Sequence, residues 1–61
     1  MKPYITVMHG MAGYVAARMD YYKDISGYDV TQTGLGRYKT FEEAEEEAKF
    51  WAECEDIDFV R

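Results

Sequence analysis

His9 is the only histidine and Cys54 the only cysteine, so acid–base or nucleophilic chemistry of the usual kind would have to be built from this one pair. They lie far apart in the sequence, His9 in a glycine-flanked break and Cys54 late in a helical stretch. No HExxH, CxxC, GxSxG or phosphate-loop spacing occurs. Gly34-Leu35-Gly36 is followed by Arg37 rather than by the start of a phosphate-binding helix, so it reads as a turn. The glutamates lack the Asx and glycine spacing of a calcium loop. The expectation is a chain with no catalytic residues, no metal ligands and no cofactor: a binding protein, not an enzyme.

The residues that could bind a partner are concentrated between Thr40 and Asp56. Eight anions fall in this stretch (Glu42, Glu43, Glu45, Glu46, Glu47, Glu53, Glu55 and Asp56) against the single cation Lys49. A solvated helix face accounts for most such runs. Two details go further. Glu53, Glu55 and Asp56 crowd a last turn where the helix dipole disfavours anions. Glu42, Glu46 and Glu53 share a face with only Lys49 beside them, and like charges four apart destabilise a helix. Glu45–Lys49 is the one well-oriented pair. Phe50 is the sharpest single residue, about 140° around the wheel from the apolar stripe and set among Glu43, Glu46, Glu47 and Glu53. An apolar anchor ringed by carboxylates is a common layout for an interface hot spot; the plainer account is an aromatic covered by a loop or a second copy. The tyrosines Tyr14, Tyr21, Tyr22, Tyr28 and Tyr38, with Arg18 and Arg37, have the composition of a stacking surface for single-stranded nucleic acid. Cross-strand aromatic pairing explains them better.

These residues need elements to hold them. Tyr4 to Met8 is β-branched and aromatic and predicts a strand. His9 to Gly13 is a break, with two glycines able to take positive φ. Tyr14 to Tyr22 predicts a second strand, with Val15, Ala17, Met19 and Tyr21 on one face and Tyr14, Ala16, Arg18, Asp20 and Tyr22 on the other; the alternative for Ala16-Ala17-Arg18-Met19 is a helical stretch. Lys23 to Gly27 is a polar loop of hairpin length, and Tyr28 to Thr33 a third strand. Thr40 with Glu43 forms a capping box and opens a helix over 40–55. Its stripe is Phe41, Ala44, Ala48, Trp51 and Ala52. Ile57 to Val60 predicts a last short strand. The fold class is α+β, a small antiparallel sheet of three to four strands with one helix on one face, in the order β-β-β-α-β, and residues 1–61 form one domain.

Size and charge narrow the function. A chain of 61 residues buries only about 60% of its unfolded surface, so its one Trp, six Tyr and three Phe must supply much of the stability. A homodimer would add burial. One cysteine allows no internal disulfide, which points to a reducing compartment. The opening Met1-Lys2-Pro3-Tyr4 has no apolar core of signal-peptide length. A cytoplasmic location and no membrane partner are expected. The net charge is −5, and its acidic concentration repels phosphate, so direct nucleic-acid binding is not expected.

The stretch Gly27-Tyr28, Gln32-Thr33-Gly34-Leu35-Gly36-Arg37-Tyr38-Lys39-Thr40, Glu42-Glu43-Ala44, Glu47-Ala48, Trp51-Ala52 and Ile57 before Phe59 resembles a group of very short proteins of tailed bacteriophages and prophages. The resemblance covers roughly the C-terminal 35 residues. Where a glycine would be expected to end the helix, this chain has Glu55-Asp56. The resemblance implies a context in which small acidic proteins bind and inhibit host machinery: CRISPR effectors, restriction enzymes or RNA polymerase. The expected function is therefore a phage-encoded inhibitor, acting in anti-defence or host takeover. It would dock Glu42, Glu43, Glu46, Glu47, Phe50 and Glu53 on a basic, nucleic-acid-handling bacterial protein. In one variant the carboxylates mimic the charge row of DNA. The alternative is a structural, self-associating protein whose homodimer buries Phe50.

Overall fold

The computed structural model describes all of residues 1–61. The strands are β1 (Tyr4–Gly10), β2 (Gly13–Tyr22), β3 (Gly27–Thr33) and β4 (Asp58–Phe59), and the one helix is α1 (Phe41–Glu55), in the order β-β-β-α-β. They form one four-stranded sheet, ordered β3-β2-β1-β4, with α1 packed on one side. The β1–β2 and β2–β3 pairs are antiparallel, but β4 lies parallel to β1. The sheet is thus mixed rather than wholly antiparallel. The physical reason is the helix: it carries the chain back the length of the sheet, so β4 starts from the same end as β1.

Several boundaries shift from the sequence reading, and the last strand shortens from 57–60 to Asp58–Phe59. The break after Met8 is narrower, because β1 and β2 continue until Gly10 pairs with Gly13 around Met11 and Ala12. Of the two glycines in this break only Gly13 takes a positive φ, 118°, and a Cβ there would sit 2.5 Å from the Tyr38 carbonyl oxygen. The loop after β2 is a single 3-10 turn, Lys23–Ile25, closed by Ser26 in the left-handed region. Gly27 already belongs to β3.

The capping box forms: Thr40 Oγ1 accepts from the Glu43 amide and Glu43 Oε1 accepts from the Thr40 amide, both at 3.3 Å. At the other end, Asp56 adopts the left-handed conformation usual for glycine, φ 56°, and its amide bonds the carbonyls of Ala52 and Glu53. Aspartate tolerates that region better than most side chains, so the helix stops cleanly without glycine.

The sheet side facing α1 meets the alanine stripe of the helix at Ala16. Ile5, Ala16, Ala48 and Ala52 form the buried cluster, with Val7, Trp51, Ile57 and Phe59 packed around it. Ala44 is also fully buried on the helix. Alanines on both elements let the helix approach closely, while the half-buried Trp51 and Phe41 close the sides. At the helix N-terminus Phe41 meets Tyr14 edge to face, with ring centres 6.1 Å apart.

Candidate functional site

The acidic helix is more engaged with its own fold than its sequence suggests. Glu43 is held in the capping box. Glu55 bridges two core-side groups, accepting from Arg18 at 2.6 Å and from the Trp51 indole nitrogen at 2.7 Å. An anion at the dipole's unfavourable end is thereby neutralised from the sheet. Arg18 also pairs with Asp20 at 3.0 Å, and Asp20 accepts from the Thr31 hydroxyl. Thr31 is placed there by the irregularity that lets Gln32 pair with Arg18 and Val30 with Met19. The Arg18 hydrogen bond, with help from Thr31, holds the Asp20 carboxyl below its usual value.

The expected Glu45–Lys49 pair does not form. Glu45 pairs instead with Arg61 at 3.4 Å, and the Lys49 ammonium lies 5.8 Å from the centre of the Phe59 ring. The chain end explains the change: after β4, Arg61 returns past the helix and rests its guanidinium 5.0 Å from the Phe41 ring.

What remains outward-facing is a compact patch. Phe50 is 70% exposed. With Tyr38, Glu43, Glu46 and Glu47 it lines a shallow cleft of about 430 Å³ with no cation in its wall. Of the six expected site residues, the structure brings Glu43, Glu46, Glu47 and Phe50 together there. Glu42 and Glu53 are exposed on the flank of the same helix, in no ion pair, and do not line the cleft.

The sequence reading missed Tyr38 as a wall of this cleft. Two backbone bonds to Tyr14 dock it against the start of β2, Tyr14 N to Tyr38 O at 2.8 Å and Tyr38 N to Tyr14 O at 2.9 Å. The neighbouring Glu47 carboxylate raises the Tyr38 hydroxyl above its ordinary range; desolvation and the charges of Glu43 and Glu46 add to this. Glu47 Oε1 is buried without a hydrogen-bond partner. The turn Gly34-Leu35-Gly36 is what closes over this pair. A Cβ on Gly34 would fall 2.2 Å from Glu47 Oε2, and one on Gly36 would fall 2.4 Å from the Tyr38 hydroxyl. Arg37 folds back on the turn, donating to the Gly34 carbonyl at 2.8 Å. Leu35 is left fully exposed at its tip. The glycine pair around a leucine was the signal in the sequence.

The tyrosines do not form one stacking surface. Tyr4, Tyr21 and Tyr28 cluster on the sheet face away from the helix, with centroids 4.8 Å and 5.5 Å apart. Tyr14 stacks on His9 on the helix side, and Tyr38 belongs to the acidic cleft. Arg18 and Arg37 are both committed to internal partners. His9 and Cys54 sit near opposite ends of α1, about 20 Å apart along its axis. No cluster of three His, Cys, Asp or Glu side chains could hold a metal ion, and no helix is long and apolar enough to cross a membrane. Compared with protein-family models, with curated proteins and with solved structures, the chain matches none of them.

Proposed function

We propose that this protein is a non-enzymatic binding protein that docks the Phe50 face of α1 on a basic surface of a bacterial protein, and that it is phage-encoded, as the resemblance of residues 27–61 implies. The observation that carries the reading is Phe50 itself. A phenylalanine 70% exposed, in a cleft whose other walls are three carboxylates and a phenol, adds nothing to the core and costs solubility. Against a partner it would enter an apolar pocket while Glu46 and Glu47 meet cations around its rim. Inhibition of a host nucleic-acid-handling protein is the outcome such docking would have.

Docking by an apolar anchor has more support than mimicry of a DNA strand. Glu43, Glu45 and Glu55 are occupied within the fold. The outward-facing carboxylates Glu42, Glu46 and Glu53 span about 17 Å of helix, a far sparser row than one charge per ~3.4 Å of a DNA strand.

Capture from bacterial lysate, quantified by mass spectrometry, tests the proposal. Wild type should retain one basic protein, and Phe50→Ala should lose at least about tenfold in affinity with an unchanged circular dichroism spectrum. Reversing Glu42, Glu46 and Glu53 to Lys should weaken binding in low salt most, because exposed charges are screened beyond about 10 Å at 0.1 M. Undiminished capture by Phe50→Ala would refute the docking face. Competition by excess duplex DNA separates the variants: mimicry requires it and anchor docking does not.

A further inference from the structure

We infer that the sheet face turned away from α1 is a self-association surface, on which two copies of the chain stack sheet to sheet with their helices outermost. This reading concerns a different face from the Phe50 cleft and does not depend on it. The register places Met8 opposite Val15, Met19 opposite Val30 and Tyr21 opposite Tyr28 on this side, and no element of the chain covers it. These side chains are sheltered mainly by one another; Met8 is still 39% exposed. The surface is also ordered in advance. The Tyr28 hydroxyl donates to the Lys2 carbonyl at 2.9 Å, and its ring holds Tyr4 and Tyr21 edge to face. Rigid aromatics lose little freedom on binding.

Three observations select a second copy as the occupant. The first is charge. β1, β2 and β3 present no ionised side chain on this face, and the one charged position in register with it, Asp58, lies on the short edge strand β4. A basic or acidic partner would find nothing to pair with, while a second neutral face fits. The second is area. The molecule is 33 × 26 × 17 Å, so its broad face projects on the order of 700 Å², near the ~800 Å² per partner of a standard interface. The third is repulsion. Sheets stacked about 10 Å apart put the acidic helices roughly 30 Å from each other, three Debye lengths at 0.1 M salt. A dimer closed through Phe50 would instead press Glu43, Glu46 and Glu47 of both copies into one interface. The sheet dimer leaves both acidic clefts free, on opposite outer surfaces.

Sedimentation equilibrium on the wild-type chain is the direct test, with an expected mass of twice 7.1 kDa. Phe50→Ala should keep that mass and Met19→Glu should return it to that of one chain. Because Met19→Glu could unfold, peroxide oxidation of the wild type gives an independent reading. Raising the protein concentration should slow oxidation of Met8 and Met19 several-fold, while Met11, fully exposed at the hairpin, should not change. A single-chain mass at every concentration, or oxidation of Met8 and Met19 independent of concentration, overturns the inference and leaves the face to another occupant or to none. A folded Met19→Glu variant that still dimerises, or a monomeric Phe50→Ala, assigns self-association to a different surface and overturns it equally.

Discussion

The two faces of the sheet solve opposite problems with the same strands. Toward the helix, β2 offers Tyr14 and Ala16 and then Arg18 and Asp20, and only one large side chain of the whole fold, Ile5, is completely buried. Away from the helix, the same strand offers Val15, the small and buried Ala17, Met19 and Tyr21, with no charged side chain among them. The helix covers the side with less to hide. Small side chains are what permit it, since a helix carrying Ala44, Ala48 and Ala52 needs a shallow floor. The polar residues on that side lie toward the helix C-terminus, where Arg18 serves Glu55. Apolarity alone therefore does not tell which side of a sheet a helix will choose; the fit of volumes does.

The largest effect should come from the residue that seals the closed side. Trp51→Ala should cost about 3 kcal/mol, the lower end for a core tryptophan because its ring is only half buried. That approaches the whole margin of a small domain, so melting by circular dichroism should show a partly unfolded protein near room temperature. A melting point within a few degrees of wild type would mean that Trp51 is not part of the closed side.

Next comes a paired test of the contrast. Ala48→Leu forces three extra carbons between helix and sheet and should cost about 2 kcal/mol by overpacking. Val15→Thr on the open side, measured in dilute protein, should cost under about 1 kcal/mol, as at a surface position. Equal losses from urea melts of the two variants would erase the distinction between the faces.

Acid should act on the closed side alone. Asp20 is held below its ordinary value of 3.8, first by Arg18 and then by Thr31. A carboxyl lowered in the folded state contributes stability that is present above pH 3.8 and is lost as pH falls through the depressed value. Arg18→Gln should remove this component. A pH–stability curve unchanged by that substitution would show that the Arg18 cluster does not act as described.

Phe50→Ala should have the smallest effect, within about 0.5 kcal/mol of wild type, because the ring is mostly in water. A larger loss in dilute solution would make Phe50 a structural residue and withdraw the main support for its role as an anchor.

Much of this was legible along the chain because it is local. Thr40 and Glu43 satisfy each other's amides within one turn, so the helix start can be read without knowing anything distant. Alternation along β2 assigns its two faces correctly, and the spacing of Ala44, Ala48 and Ala52 marks the buried stripe. Phe50's place off that stripe also follows from angle alone, and with it the centre of the candidate site. Tertiary structure decided what depends on separated segments meeting. It set β4 parallel to β1, gave Glu45 to Arg61 rather than Lys49, and brought Arg18 of β2 to Glu55 at the end of the helix. It placed Tyr38 against Glu47 beneath a glycine turn and left the more apolar sheet face open. Local hydrogen bonds and periodicity are encoded within a few residues, whereas an ion pair or a covered face depends on which volumes fit once the helix has crossed the sheet.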